Sequence, residues 1–298
     1  MQNLTDILSI LPETRGSLKI SALSKFTWFR VGGDAIVFTP KDEDDLISFL
    51  QNTPKNISVM PLGLGSNTLF RDGGFKGVVV RMSPFSDIEL QGTTLIAGCG
   101  ATDIKVAKTA CMHGLDGLAF LSGIPGAIGG ALAMNAGAYG SEIKDIFQSA
   151  NAIKRDGTKK TYTLNDMNFA YRHCAIKDVF FTSIILLGTH GEVVNIQKKM
   201  DDIKTMRSDS QPIKERTGGS TFQNPIDNKA WKLIDKAGLR GKTIGGAKIS
   251  EHHCNFLINM GEATASDLED LGDLAKHSVK EQFDINLTWE IKLIGDKT

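Results

Sequence analysis

Residues Arg216 to Pro225 read RTGGSTFQNP, a hydroxyl behind two glycines with an amide four residues further on. Thin backbone beside a serine suits three kinds of chemistry: phosphate binding, nucleophilic attack, or proton donation. A phosphate loop needs a Lys-Ser/Thr pair and an opening helix, and neither follows. A nucleophile needs a G-x-S-x-G elbow and a base, and the stretch supplies neither. Two readings of Ser220 remain: a weak acid oriented by its neighbours, or a serine that caps its own turn.

Other glycine-rich segments carry the same kind of question. GLGSN (63–67) follows a strand, but a dinucleotide fingerprint requires a third glycine and a long helix. TLFRDGGFKG comes next, and its Asp72-Gly73-Gly74 turn leaves no room for that helix. What survives is a short loop whose N–H groups suit an anion. GCG (98–100) ends another strand in the same way. SGIPGAIGGALAMNAGAYG (122–140) is denser. Glycine costs a helix or strand about 0.5–1 kcal/mol relative to alanine, so such a run implies close backbone approach. Tight packing between elements is one explanation. The favoured one is a wall on which a large cofactor lies, its pyrophosphate on main-chain amides. The uncharged run 117–140 is long enough to span a bilayer, but Pro125 and the dominance of small residues speak against that.

Composition narrows the classes. The 298 residues hold 34 Lys+Arg against 34 Asp+Glu, so the chain lacks the basic excess of a nucleic-acid binder. Cys99, Cys111, Cys174 and Cys254 are scattered with no metal-ligand spacing, which reads as reduced, buried thiols in a cytosolic protein. The His252-His253 pair has no third ligand nearby, so no metal is expected. The first sixteen residues are acidic where a signal peptide is basic, so none is expected.

The elements that must position these residues alternate in type. Strands are predicted at 35–39, 57–62, 78–82 and 95–98, and a helix after Thr39-Pro40 with Thr39 as its N-cap. A helix over 102–114 has Thr102 as cap and Gly114 as stop. A hairpin turning at Asp156-Gly157 and the strand VFFTSIILLG follow. A helix over 202–212 breaks at Pro212, the main domain boundary. Beyond it lie helices over 230–238 and 266–283, the strand CNFLIN (254–259), and INLTWEIKLIG, which alternates like a closing strand. The class is α+β, or mixed α/β.

Taken together, TWFRVGGDA (27–35), residues 61–82 and 122–145, Tyr171-Arg172, GGSTFQNP (218–225), residues 237–259 and WEIKLIG (289–295) resemble the UDP-N-acetylenolpyruvoylglucosamine reductases over nearly the whole chain. The resemblance implies a two-subdomain FAD-binding module of the vanillyl-alcohol-oxidase type and a C-terminal α+β substrate domain. The implied boundaries are 1–82, closed by 287–298, then 83–203, then 204–286. Only HCAIKD (173–178) separates Arg172 from the next strand, which resembles the shorter second type of the family.

The family's activity is the NADPH-linked, FAD-dependent reduction of UDP-N-acetylglucosamine enolpyruvate to UDP-N-acetylmuramate for peptidoglycan precursors. It implies non-covalent FAD over Gly63, Leu64, Gly65, Ser66 and Asn67. The same FAD would run along Gly123, Ile124, Pro125 and Gly126, then Gly129 and Gly130, then Asn135, Ala136 and Gly137. Arg172 matches the catalytic arginine, whose planar fork suits a carboxylate gaining charge. Ser220 matches the proton donor. Glu290 matches the C-terminal glutamate, which beside a developing enediolate must itself carry or share a proton. Tyr171, Arg207, Gln211, Arg216 and Asn224 are implied to bind substrate, and His253 and Asn255 lie in a segment that helps form the cleft. A cytoplasmic monomer is expected, binding neither membrane nor nucleic acid. Two other readings stay open: a flavin oxidase on the same scaffold, and a non-catalytic sugar-nucleotide binding module.

Overall fold

A computed structural model describes residues 3–297 and divides the chain into two units. The first comprises residues up to 20, 36–64 and 77–206; the second comprises 21–35, 65–76 and 207–298.

The two larger sheets lie in the first unit. In one, the strands Ser17–Ala22, Asp34–Thr39, Gly77–Arg81 and Ser58–Leu62 lie in that order. Gly77–Arg81 pairs in parallel with both of its neighbours. A strand buried on both faces reads as a continuous apolar run, which is what Val78-Val79-Val80 is. The other sheet is antiparallel, in the order Lys159–Thr163, Phe147–Lys154, Val179–Leu187, Thr94–Gly98, Ile88–Gln91. The helices Asp103–Met112 and Ile128–Ala133 pack on it through Val106, Ala107, Ala110 and Leu132.

Local signals place most of these elements. Thr102 caps its helix, accepting the Lys105 N–H at 3.1 Å. Gly157 takes the hairpin position at φ +82. The first long helix, Glu43–Asn52, is capped by Asp42 and not by Thr39. Thr39 is still inside a strand there, whereas the Asp42 carboxylate reaches the Asp45 N–H at 2.9 Å. The helix expected from 202 begins at Val193 and runs to Ser210. Its apolar stripe is thin, three side chains at i, i+4 and i+7, and only the packing of Ile196, Met200 and Ile203 on the core shows that the helix starts there.

The second unit is built around the helices Ala230–Lys236 and Ala265–Phe283, with a core that includes Phe29, Leu69, Phe222, Leu268 and Leu287. The strand expected over 254–259 covers only Leu257–Asn259, the third of three antiparallel strands with Thr243–Ile244 and Ala247–Ile249. Residues 254–256 form the bend that leads into it, where Ser250 N–H meets the Phe256 carbonyl at 2.9 Å. The closing segment is a strand only over Lys292–Ile294, parallel to Thr68–Phe70. Asp72 caps the longest helix from outside it, accepting the Ala265 and Ser266 N–H groups at 2.9 Å each. Among the described residues no helix is long and apolar enough to cross a membrane, and all four cysteines are free and buried.

Arg71 and Glu269 anchor the same unit. The guanidinium grips the carboxylate at 2.8 and 3.0 Å, and Lys297 adds a contact at 3.0 Å. Burial pushes the Glu269 carboxyl upward, but hydrogen bonds from Arg71 and Lys297 outweigh it and hold it below 4.5. A depressed carboxylate gives stability that is present above its unfolded value and lost as pH falls through the folded one. Glu269→Gln is therefore expected to flatten the decline of the denaturation midpoint below about pH 4.5. Glu269→Ala, which strands Arg71, is expected to cost about 3 kcal/mol at neutral pH.

Candidate active site

In the first unit the glycine segments converge. The Gly129 N–H meets the Cys99 carbonyl at 2.9 Å, Ile128 meets Ala101 at 2.9 Å, and the Asp103 N–H meets the Gly126 carbonyl at 3.1 Å. Thr102 and Ala127 form an isolated bridge. A Cβ on Gly63 would touch that of Ala127 at 3.5 Å. Thus Gly63, the 98–102 loop and the head of the long glycine run form one surface, although they are distant in sequence.

Two adjacent glycines in that run have different reasons to exist. A Cβ on Gly129 would fall 2.7 Å from the Cys99 Cβ and 2.8 Å from its carbonyl, so packing alone requires glycine. Gly130 is exposed, sits inside the helix Ile128–Ala133, and has nothing within 4 Å of where a Cβ would stand. No protein atom asks for glycine at that position.

The rest of the run is tied to Arg172. Ala170 and His173 exchange backbone hydrogen bonds at 3.1 and 3.0 Å, which puts Tyr171-Arg172 at the tip of a tight turn. Arg172 sits at φ +53, a strained conformation that surrounding bonds must offset. Its Nη1 donates to the Gly137 carbonyl at 3.0 Å, and its guanidinium lies 5.4 Å from the Tyr171 ring centroid. Asn135 is fully buried, at φ +44. Its Nδ2 donates to the Ala170 carbonyl at 3.1 Å and to Glu142 at 3.0 Å, while its Oδ1 accepts the Lys144 N–H at 3.0 Å. That side chain braces the Arg172 turn, so any contact it offers a ligand comes from its backbone.

The second unit places Ser220 and Glu290 on the two sides of Thr221. Ser220 bridges to Phe256, and Phe222 to Trp289. The Thr221 N–H donates to the Asn255 carbonyl at 2.8 Å, and the Thr221 carbonyl accepts the Glu290 N–H at 2.8 Å. Asn67 joins from its own loop: Nδ2 donates to the Glu290 carbonyl at 3.1 Å, and its carbonyl accepts the Lys292 N–H at 3.0 Å. Gly218 lies so close to Phe29 that a Cβ would meet the ring at 2.3 Å. Gly218, two residues before Ser220, thus lets the loop press onto the core.

The other donors scatter within this unit. Arg207 Nε reaches Gln211 Oε1 at 3.3 Å. Gln211 lines an open recess of about 700 Å³ with Lys214, Lys248, Ser250 and His252. Arg216 lines another, of about 710 Å³, with Gly245, Gly246 and Met260. Asn224 Oδ1 caps the helix Ala230–Lys236 by accepting the Ala230 N–H at 3.1 Å. The His253 ring stacks near Trp231 and Phe256, centroids 5.9 and 4.9 Å away, and burial lowers its pKa from the usual 6.5. Asn255 is buried, with both ends of its amide on the Phe222 backbone.

Sequence reasoning passed over Thr221 and Asp103. Thr221 carries no distinctive chemistry; its importance lies in its peptide groups. Asp103 stands in the first turn of its helix, where an acid is ordinary. It is 1% exposed, its carboxyl has no partner among the described residues, and burial pushes it well above the usual carboxylate range. Among the described residues no group of three or more His, Cys, Asp or Glu side chains is arranged to hold a metal ion.

Comparison with known proteins gives concordant matches. The family described as FAD binding domain matches residues 35–162, and the one described as UDP-N-acetylenolpyruvoylglucosamine reductase, C-terminal domain, matches 211–294. The UDP-N-acetylenolpyruvoylglucosamine reductase of Azorhizobium caulinodans is 52% identical over 97% of this chain and 95% of its own. That of Parvibaculum lavamentivorans is 50% identical over 97% of this chain and 94% of its own. The crystal structure of the Thermus caldophilus UDP-N-acetylenolpyruvylglucosamine reductase superposes with a TM-score of 0.84 at 29% identity, covering 94% of this chain and all of that one.

Proposed function

The chain belongs to the UDP-N-acetylenolpyruvoylglucosamine reductase family, and on that premise we infer that it reduces the enolpyruvyl double bond of UDP-N-acetylglucosamine enolpyruvate, giving UDP-N-acetylmuramate for peptidoglycan synthesis. It is a flavoenzyme with FAD as cofactor and NADPH as co-substrate.

The residues present fit FAD. Gly130 presents bare helix backbone where no protein atom requires it, and the neighbouring glycine segments lie beside it on one surface. Gly63, Leu64, Gly65, Ser66 and Asn67 are proposed to hold it, together with residues 123–126, Gly129, Gly130, Asn135, Ala136 and Gly137. When bound and reduced by NADPH, FAD supplies the hydride. Gly130→Ala is expected to stabilise the FAD-free protein by up to about 1 kcal/mol, as alanine does within a helix, while weakening FAD binding. Gly129→Ala is expected to destabilise the fold outright. Melting of the FAD-free proteins and FAD titration measure the two effects. Unchanged FAD affinity in Gly130→Ala would count against the wall.

The observation that supports the reading is at Thr221, whose N–H and carbonyl tie the backbone next to Ser220 to Asn255 on one side and to the Glu290 N–H on the other. Addition of hydride to the terminal carbon leaves carbanion character next to the substrate carboxylate. That charge needs a preorganised cation, and Arg172 supplies one with a fork matched to a carboxylate. The basic carbon needs a proton, which the Ser220 hydroxyl gives. Glu290, protonated, donates to the developing enediolate instead of repelling it. Tyr171, Arg207, Gln211, Arg216, Asn224 and His253 are assigned to substrate binding. The accompanying domain proposal is 1–82 with 287–298, then 83–203, then 204–286. A monomer is proposed. The zero net charge favours no nucleic-acid partner. A cytoplasmic location is proposed, where a sugar nucleotide and NADPH are both to be found.

The test is an anaerobic two-step assay. NADPH reduces the holoenzyme, and UDP-N-acetylglucosamine enolpyruvate is then added. Reoxidation with formation of UDP-N-acetylmuramate is expected; a flavin that stays reduced refutes the activity.

A further inference from the structure

Ser220 lies in a loop held in place by hydrogen bonds from two other segments. The peptide after it, Ser220–Thr221, is anchored by its N–H on the Asn255 carbonyl at 2.8 Å. The next peptide, Thr221–Phe222, is held at both ends. Its N–H donates to the Asn255 side-chain Oδ1 at 3.0 Å, and its carbonyl accepts the Glu290 N–H at 2.8 Å. Rotation of that one plane breaks both bonds. The Asn255 Nδ2 then donates to the Phe222 carbonyl at 2.8 Å, completing a two-point clamp on Phe222.

The clamp is itself secured. The Asn255 N–H donates to His253 Nδ1 at 3.3 Å, and in the neutral ring this leaves the proton on Nε2. Asn255 is 4% exposed, with its donor and acceptor both engaged inside the protein. Asparagine is the residue the geometry requires. Aspartate offers no donor to the Phe222 carbonyl and brings a charge into a buried site, while an aliphatic side chain offers neither partner.

We infer that Asn255 is a positioning residue: its amide fixes the Thr221–Phe222 peptide, and through it the placement of the Ser220 hydroxyl and the Glu290 backbone relative to each other. The inference rests on the assignment of Ser220 and Glu290 above. It takes Asn255 out of direct substrate binding and places it behind the proton donor.

The experiment uses the FAD-bound full chain with Asn255→Asp, Asn255→Ala and, in parallel, Ser220→Ala. Asn255→Asp keeps the volume and removes the donor, so it carries the test alone if Asn255→Ala does not fold. NADPH reduction is expected to stay near the parent rate in the Asn255 variants. Reoxidation by saturating UDP-N-acetylglucosamine enolpyruvate is expected to fall by about 10²-fold, the usual result of displacing a reacting group by an ångström or so. Substrate affinity should hold, and the solvent deuterium isotope effect on reoxidation should rise as proton transfer becomes limiting. Weakened affinity with an unchanged saturating rate would make Asn255 a substrate ligand, and equal slowing of both steps would make it merely structural; either overturns the inference. If Ser220→Ala reoxidises normally, the Ser220 assignment itself has failed, a result distinguishable from a failure at Asn255 alone.

Discussion

Ser220→Ala is expected to retain NADPH reduction of bound FAD while reoxidation by UDP-N-acetylglucosamine enolpyruvate falls by about 10²–10⁴-fold, the usual range for loss of a general acid. The asymmetry follows from how the loop is built. Its shape comes from Thr221 and Phe222 on Asn255, from Glu290 and Thr288 on the other side, and from Gly218 against Phe29. None of these bonds uses the Ser220 hydroxyl, so alanine removes a proton and leaves the scaffold. Rapid-mixing absorbance of the flavin reads both steps in one sample. Equal slowing of both would mean that the hydroxyl serves the structure.

Arg172→Lys is expected to lower the saturating rate of the same reoxidation step by about 10²–10³-fold, the scale of a lost preorganised charge donor. Lysine keeps the charge but loses the planar fork. It also loses the Nη1 bond to Gly137 and the placement over Tyr171 that aim the guanidinium. Binding of the ground-state carboxylate should suffer less than the rate, because the demand on the cation grows as the enediolate forms. The check is a split between substrate Kd and the limiting rate. A variant with weaker binding and an unchanged limiting rate would reduce Arg172 to a substrate anchor.

Much of the chain was legible from its sequence where causes are local. Thr102 and Gly114 bracket a helix because a cap and a stop act within a few residues, and Asp156-Gly157 turns a hairpin for the same reason. The start of the first long helix was misplaced by three residues because Thr39 and Asp42 both have capping side chains, and only the strand's end decides between them. Non-local partners were illegible. Nothing in INLTWEIKLIG says that its strand is three residues long and pairs in parallel with Thr68–Phe70. The glycine run was read as a wall, but its two reasons, packing at Gly129 and open space at Gly130, separate only when Cys99 is placed. Asn135 and Asn255 entered the site through the resemblance; that each side chain also braces backbone 33 to 35 residues away is something no spacing rule encodes.

The makeup of the second unit has a bearing on how the protein is born. Its segments 21–35 and 65–76 leave the ribosome well before their partners, from Phe222 and the helix Ala265–Phe283 to the strand Lys292–Ile294. Phe29 and Leu69 therefore emerge long before the surfaces that cover them exist. At about 5–20 residues per second the wait lasts on the order of ten seconds or more. During it these apolar stretches are available to chaperones and to one another. Folding of this unit thus waits for residues beyond 222, and its yield will depend on translation speed and chaperone supply in a way that the finished molecule's stability does not reveal.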